Sequence, residues 1–233
     1  MGSSESKQVA ARFSQTRYSS IQFPLRFDIY DTGRSRNRFA LGDKKNPTHI
    51  VSLVSGLYGD LVLYNGPTAE ADPVVLVRNS RSLGRIDDIE VAACADGRLA
   101  IREELRSRSN GWSRAFEFAV SAGPGLLPEK FEWRASRSDE VRKLGGANSG
   151  WKLLRLGRQE EIVAVVAQPR MSLSKVGIFN FVGSGATGEL GDAWAAMAVT
   201  SFARMQQRQL QNTQSASSSA AASAGASAAA CSC

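Results

Sequence analysis

Residues 192–204 read DAWAAMAVTSFAR, and this stretch decides the fold that we predict. Asp192 is a residue type favoured at helix N-termini, and the next charged side chain is Arg204. The apolar residues between them go all the way round the predicted helix instead of forming one stripe, so the helix must be enclosed on every side. Its eleven uncharged residues cover about 17 Å, roughly half of a hydrocarbon core, which favours enclosure by protein over enclosure by lipid.

Predicted strands supply that enclosure. Short runs rich in Val, Ile, Leu, Phe and Tyr recur every ten to fifteen residues, with Gly, Asn, Asp or Pro between them. The candidate strands are 22–30, 37–42, 49–54, 60–64, 74–78, 85–93, 97–105, 113–120, 129–134, 150–156, 160–168 and 175–182. An open sheet of twelve strands would leave long unpaired edges, which favours closure. The sequence therefore predicts a mainly β fold, a twelve-stranded closed antiparallel barrel around a central C-terminal hydrophobic α-helix.

The two ends of the chain differ from the middle. Residues 1–20 have few apolar side chains and no periodicity, and residues 211–233 are almost all Ser and Ala with a few Gln. Neither can bury enough surface to offset the entropy of ordering, so we expect a disordered arm and a disordered tail. Residues 21–210 contain no long linker and no repeat, which indicates one barrel domain.

Four motifs between residues 129 and 205 carry a resemblance to a known family. They are FEWR (131–134), GWKLL (150–154), EIVA (161–164) and GELGD (188–192) running on to VT (199–200). In these motifs the chain resembles the tubby C-terminal-like domains, in particular their short fungal members of unknown function. The resemblance implies a twelve-stranded barrel around a central C-terminal helix, a fold also found in phospholipid scramblases and LURP-one-related proteins. Tubby proteins bind phosphoinositides and scramblases sit at membranes, so it also implies a lipid surface, but it supplies no reaction.

Positive charge is concentrated at the N-terminal end. The chain carries a net charge of +7, and residues 1–45 hold nine Lys and Arg against four Asp and Glu, a balance of +5. An anionic partner would meet this end first, although a solvated basic surface is the simpler alternative. The candidate anionic-lipid-binding residues here are Arg34, Arg36, Arg38, Lys44 and Lys45. A second candidate set flanks a glycine-rich loop at one barrel end and comprises Arg134, Arg137, Arg142 and Lys143.

The N-terminus fits a lipidation motif. Met1-Gly2-Ser3-Ser4-Glu5-Ser6 matches M-G-x-x-x-[ST], which predicts myristoylation of Gly2, with a chance small-residue start as the alternative. One myristoyl chain gives only marginal membrane binding, so a second signal is needed. The basic residues could provide it, and so could palmitoylation of Cys231 and Cys233, which are otherwise free thiols at the chain end.

Candidate catalytic residues are few. Three cysteines and one histidine are too few for a disulfide framework or a zinc site, and we expect no metal and no cofactor. His49 is more simply a structural or surface histidine, and Cys94 a small core residue. Residues 183–188, GSGATG, match G-x-G-x-x-G, but no ribose-binding carboxylate follows at the required distance. We expect these glycines to let the chain turn from the barrel wall into its lumen.

These observations predict a non-enzymatic peripheral membrane protein that binds anionic phospholipid or phosphoinositide. No run of about 18 uncharged apolar residues is present, and the N-terminus lacks the apolar run of a signal peptide, which favours the cytoplasm and the cytoplasmic face of a membrane. A nucleic-acid or transcription-linked binding protein is the alternative that the net charge leaves open. An enzyme with a site inside the barrel is a third hypothesis.

Overall fold

The computed structural model describes residues 4–32, 37–79, 86–109, 114–121, 126–145, 149–169, 172 and 174–229, with side chains up to residue 216. Five of the candidate site residues lie outside the described residues, namely Gly2, Arg34, Arg36, Cys231 and Cys233.

The described chain forms three α-helices and fourteen strands. The helices are α1 (Ser4–Gln15), α2 (Asp139–Gly145) and α3 (Gly191–Ala229). The strands are β1 (Arg17–Tyr18), β2 (Arg26–Asp31), β3 (Arg38–Gly42), β4 (Pro47–Val54), β5 (Asp60–Tyr64), β6 (Pro73–Asn79), β7 (Ile86–Val91), β8 (Ala93–Cys94), β9 (Ile101–Ser109), β10 (Arg114–Val120), β11 (Glu129–Ser136), β12 (Gly150–Arg155), β13 (Glu161–Ala167) and β14 (Lys175–Phe181).

Twelve of these strands close into the predicted antiparallel barrel. The ring order is β10-β11-β12-β13-β14-β2-β3-β4-β5-β6-β7-β9, while β1 and β8 form a separate parallel pair. Every predicted strand overlaps an observed barrel strand, and the boundaries differ by at most four residues. The prediction of a closed antiparallel barrel is confirmed.

The prediction that the C-terminal helix is enclosed is also confirmed. Trp194, Met197 and Phe202 on α3 are at most 1 % exposed. The Trp133 ring on β11 lies 5.7 Å from the Phe202 ring, and its indole N–H donates to the Ser201 hydroxyl at 2.9 Å. The barrel lumen is therefore filled by its own C-terminal helix.

The path of α3 defines two ends of the barrel. At the entry end, the backbone N–H of Ile21 donates to Asp192 at the start of α3. At the exit end, the Gln207 side chain donates to the carbonyl of Leu57 between β4 and β5. Because neighbouring strands are antiparallel, β2, β9, β11 and β13 begin at the entry end, whereas β3, β7, β10 and β12 begin at the exit end.

The N-terminal arm differs from the expectation of disorder, because residues 4–15 form α1 and pack on the barrel. Val9 and Phe13 are buried, and the Arg12 guanidinium donates to the carbonyls of residues 69–71 between β5 and β6. The strands beneath have buried residues in succession, as in Leu61–Tyr64, so their outer face also needs an apolar cover. Two apolar side chains one helical turn apart are enough to supply it.

The helix that fills the lumen also extends past residue 210, where the sequence predicts the tail to begin. Gln211 lies within α3, and its side chain donates to the carbonyl of Leu57 at 2.7 Å. The residues that follow are mainly Ala and Ser without proline, and Ala has the highest helix propensity, so the helix can continue past Gln211.

Candidate functional site

The first set of predicted basic residues does not form one patch among the described residues. Arg38 is exposed at the start of β3, whereas Lys44 and Lys45 lie in the turn after its end. Five residues of strand span about 16 Å, so the two groups are separated by the length of β3. Lys44 donates to the Ser174 hydroxyl at 3.0 Å, while Lys45 is exposed.

Two members of the second set are held by carboxylates. Arg134 binds Glu132 and makes two hydrogen bonds of 2.9 Å to Glu160. The hydrogen bonds to Glu160 and Glu132 raise the pKa of the Arg134 guanidinium, so its charge is fixed and already countered. Arg142 is bound in the same way to Asp139, three residues earlier on α2. Both arginines already have carboxylate partners and are poor candidates for recruiting an anion.

The other two members are placed differently. Arg137 is exposed between β11 and α2. Lys143 lines a groove of about 340 Å³ beside α2, on the outer wall of the barrel over β13 and β14. Of the second set, Lys143 is thus the residue placed at this groove, whose lining does not include Arg134, Arg137 or Arg142.

The groove combines an apolar floor with cationic side chains, and we call it the α2 groove. Its apolar lining is Leu144, Ile162, Val165 and Val182, and its polar lining is Arg26, Glu140, Lys143 and Asn180. The floor exists because α2 packs Val141 and Leu144 onto the outward face of β13 and β14, forming a second small apolar cluster outside the lumen. The strands thus bury both faces here, one on α3 and one under α2.

The charge balance of the α2 groove is positive. Arg26 donates to the carbonyl of Leu144 at 2.7 Å, which holds its guanidinium beside the groove. Glu140 forms an ion pair with Lys152 at 3.2 Å. Hydrogen bonds from the Ser138 hydroxyl, the backbone and Lys152 lower the pKa of Glu140 to about 2, so it stays ionised and Lys152 counters it. Arg26 and Lys143 supply the remaining charge.

Arg26 is not among the residues that the sequence predicts for a site, because its position inside the predicted strand 22–30 gives no sign that it lies beside α2. Arg26 follows Leu25, an apolar side chain that is 58 % exposed. Four of the five large hydrophobic side chains exposed in the described part of the chain lie at the entry end, just before β2, β9 and β11. They are Leu25, Leu99, Leu126 and Leu127. Leu25, next to Arg26, therefore belongs to a wider apolar rim that these four leucines form at the entry end.

His49 has the structural role that the sequence predicts. It is buried, with Nε2 3.1 Å from the Asn65 side-chain oxygen and Nδ1 3.1 Å from the Thr48 hydroxyl. Burial lowers the pKa of the imidazole. Asn65 in turn donates to the carbonyl of Ser20, so the ring ties the chain before β2 to the barrel.

The glycine motif turns the chain into the lumen, as predicted. Gly183–Gly185 is one turn of 3₁₀-helix, and Gly183 has a φ of 52°. A Cβ atom on Gly185 would lie 2.2 Å from the carbonyl oxygen of Val163 and 2.7 Å from the Trp194 ring. The motif thus allows close packing at the mouth of the barrel.

Comparison of the chain with protein-family models, with curated proteins and with solved structures gives no match. The resemblance to tubby-like domains accordingly stays a prediction. In the part of the chain that the structure describes, no helix has the length and apolar character needed to cross a membrane.

Proposed function

We propose that this protein is a non-enzymatic peripheral membrane protein that binds anionic phospholipid, phosphoinositides included, through the α2 groove. The observation that carries the proposal is the apolar floor of this groove beside Arg26 and Lys143. A phospholipid presents a phosphate next to an apolar region, and the groove offers the complementary pair of surfaces. The resemblance to tubby-like domains favours the same ligand class.

The entry end supports this orientation. The four exposed leucines there can enter the boundary between head groups and acyl chains of a bilayer. A surface that faces only water has no need of such a group of exposed apolar side chains. The α2 groove is lined by residues near the start of β2 and β13 and the end of β14, which also lie at the entry end. The apolar rim and the cationic groove can therefore contact one bilayer.

Lipidation is a separate part of the proposal. A myristoyl group on Gly2 gives a partition constant of about 10⁴ M⁻¹ and needs a second signal for stable residence. The two groove cations can provide it, at roughly 1 kcal/mol each near an anionic leaflet. Palmitoyl groups on Cys231 and Cys233 would add to it and keep the protein at the cytoplasmic face. The intact mass of the native protein reports these modifications independently of the groove.

Vesicle binding of the unmodified full-length protein tests the groove. We expect co-sedimentation with vesicles that contain anionic phospholipid and little with neutral phosphatidylcholine vesicles. The double variant Arg26→Gln, Lys143→Gln removes about 2 kcal/mol of attraction and should weaken binding about thirtyfold.

The matched control is Arg106→Gln, Arg108→Gln, which removes the same charge from exposed positions in the exit half of β9, away from the groove. An equal loss in the control would contradict a specific groove and indicate net charge alone. Duplex DNA at the same salt concentration is the competing ligand, and a preference for DNA over the anionic vesicles would overturn the proposal in favour of nucleic-acid binding.

A further inference from the structure

A second cationic site lies at the exit end, where α3 leaves the barrel. Arg204 and Arg208 are four residues apart on α3 and therefore share one helix face. Both bind Asp87 of β7, with nitrogen–oxygen distances of 2.8 Å for Arg204 and 2.7 Å for Arg208. Asp87 points into the lumen with Ile89 and is 1 % exposed, and Arg204 is 2 % exposed.

These side chains border a cavity of about 370 Å³ between α3 and the ends of β6, β9 and β10. Three arginines reach it, namely Arg114, Arg204 and Arg208. Most of the other lining side chains carry N–H or O–H donors, among them Ser107, Ser109 and Asn79. No carboxylate lines the cavity among the described residues. Its polar chemistry is therefore that of a donor-rich, cationic cavity.

Arginines outnumber carboxylates around the cavity. Three guanidiniums border it, those of Arg114, Arg204 and Arg208. Two carboxylates interact with them, namely Asp87 and the half-buried Asp60, whose charge acts on Arg204. The connecting segments 80–85 and 110–113 lie outside the described residues, but their sequences, SRSLGR and NGWS, contain no acidic residue. An uncompensated buried charge is unfavourable, so an anion in the cavity would lower the free energy of the folded state.

One donor of Arg204 is also unused. Its Nε–H is buried and has no hydrogen-bond partner among the described residues. A buried donor without an acceptor destabilises the folded state, and an oxyanion is the acceptor that fits a guanidinium beside a cavity. The charge excess and the unused donor thus point independently to the same class of ligand.

We infer that the exit-end cavity binds a phosphate group carried by a larger molecule. Arginine forks and hydroxyls arranged around a cavity match the several acceptor oxygens and the double negative charge of a phosphomonoester. The cavity volume lies within the range of small-molecule sites, roughly 300–1,000 Å³, and exceeds what an inorganic ion fills. The cavity and the α2 groove lie at opposite ends of the barrel, so neither site depends on the other.

Calorimetric titration of the full-length protein with inorganic phosphate and with a soluble inositol trisphosphate tests the inference. Both probes should bind, the trisphosphate more tightly. Replacement of Arg204 would also change the buried contact with Asp87, so the diagnostic variant is Arg114→Gln, because Arg114 is exposed at the rim and outside the Asp87 cluster. Loss of one charge-assisted contact should weaken trisphosphate binding about tenfold or more.

Arg102→Gln is the matched control, because Arg102 is an exposed arginine of β9 that pairs with Glu90 away from the cavity. It should leave the affinity unchanged. Absence of binding to the wild type at millimolar probe, or equal losses in the two variants, would overturn the inference. The groove variant Arg26→Gln, Lys143→Gln should keep its trisphosphate affinity, so failure of one proposal is distinguishable from failure of the other.

Phosphatidylcholine vesicles with and without a phosphoinositide identify the source of the phosphate. If Arg114→Gln weakens binding to the phosphoinositide vesicles and soluble trisphosphate competes with them, the ligand is a lipid head group. If the vesicles do not respond to Arg114→Gln while soluble trisphosphate does, the ligand is a soluble phosphorylated molecule. Either result supports a phosphate site in the cavity.

Discussion

Arg155 at the entry end and Arg204 at the exit end are equally buried, each 2 % exposed, yet the ratio of cations to carboxylates around them differs. Arg155 faces three carboxylates. It makes two hydrogen bonds of 2.5 Å to Glu129 and one of 2.9 Å to Glu189, and Glu161 lies 3.8 Å away. At the exit end, Arg204 and Arg208 share Asp87, and Asp60 is a second carboxylate whose charge acts on Arg204.

The number of carboxylates around each arginine distinguishes an arginine that stabilises the fold from one that can bind an anion. Arg155 joins the connections β10–β11, β12–β13 and β14–α3 at the mouth where the chain turns into the lumen, and all its charge is countered within the protein. Around the exit-end cavity, the three guanidiniums of Arg114, Arg204 and Arg208 exceed the two carboxylates of Asp87 and Asp60. Burial of an arginine alone therefore does not identify its role, whereas the ratio of cations to carboxylates around it does.

The largest expected effect is at Arg155. Arg155→Met should lower the free energy of unfolding by about 3 kcal/mol, because it leaves neighbouring carboxylates without their shared cation. Urea denaturation followed by tryptophan fluorescence measures the change. Arg155→Lys keeps the charge but cannot make the two guanidinium hydrogen bonds to Glu129, so it should recover only part of the lost free energy of unfolding. If the free energy of unfolding of Arg155→Met is close to that of the wild type, this cluster does not stabilise the fold.

Arg204→Met should cost less, about 1 kcal/mol, in the same measurement. Asp87 keeps Arg208 as its partner, and removal of one guanidinium relieves the repulsion between the two. If the variant folds but loses as much stability as Arg155→Met, the two clusters are equivalent and the ratio of cations to carboxylates does not distinguish their roles.

The smallest expected effect concerns pH. The hydrogen bond from Arg155 lowers the pKa of Glu129 below its ordinary value of 4.5. A carboxyl with a lowered pKa in the folded state stabilises the protein above its unfolded pKa, and the stabilisation is lost as the pH falls through the folded pKa. Wild-type stability should therefore fall more steeply below pH 4.5 than that of Arg155→Met.

Arg204→Met is the control for this pH dependence, because Glu129 keeps its partner in that variant. It should retain the acid sensitivity of the wild type. Parallel stability curves for wild type and Arg155→Met across the acid range would show that the Arg155 cluster does not contribute to acid unfolding.

Local sequence pattern was informative about the barrel and less so about its surface. In the sequence, the strands are visible as runs of β-forming residues between turn residues, and the enclosed helix is visible as an apolar stretch without a polar side. Both patterns can be recognised because they extend over neighbouring residues. The outer helices were missed because their apolar faces are small: Val9 and Phe13 on α1, Val141 and Leu144 on α2. The clue was in the strands beneath them, whose buried residues follow one another without polar alternation.

The two ends of the barrel could not be assigned from sequence. Arg204 and Asp87 are 117 positions apart, Arg155 and Glu129 are 26 apart, and Arg26 meets the carbonyl of Leu144 across 118 positions. The sequence does not show whether a charged residue has an oppositely charged neighbour in the folded protein. Arg134 and Arg142 were thus grouped with Lys143, although carboxylates hold the first two and only Lys143 lines the groove.

The sequence by itself determined that a strand-rich chain encloses its own C-terminal helix. Buried positions require apolar residues, so burial can be inferred from the order of apolar and polar residues along the chain. Only the tertiary structure decided which cations remain available to an anion. Ring closure brings distant strands and α3 together, and electrostatic energy depends on the distance between charges in space. That distance is set by the barrel and is independent of separation along the chain.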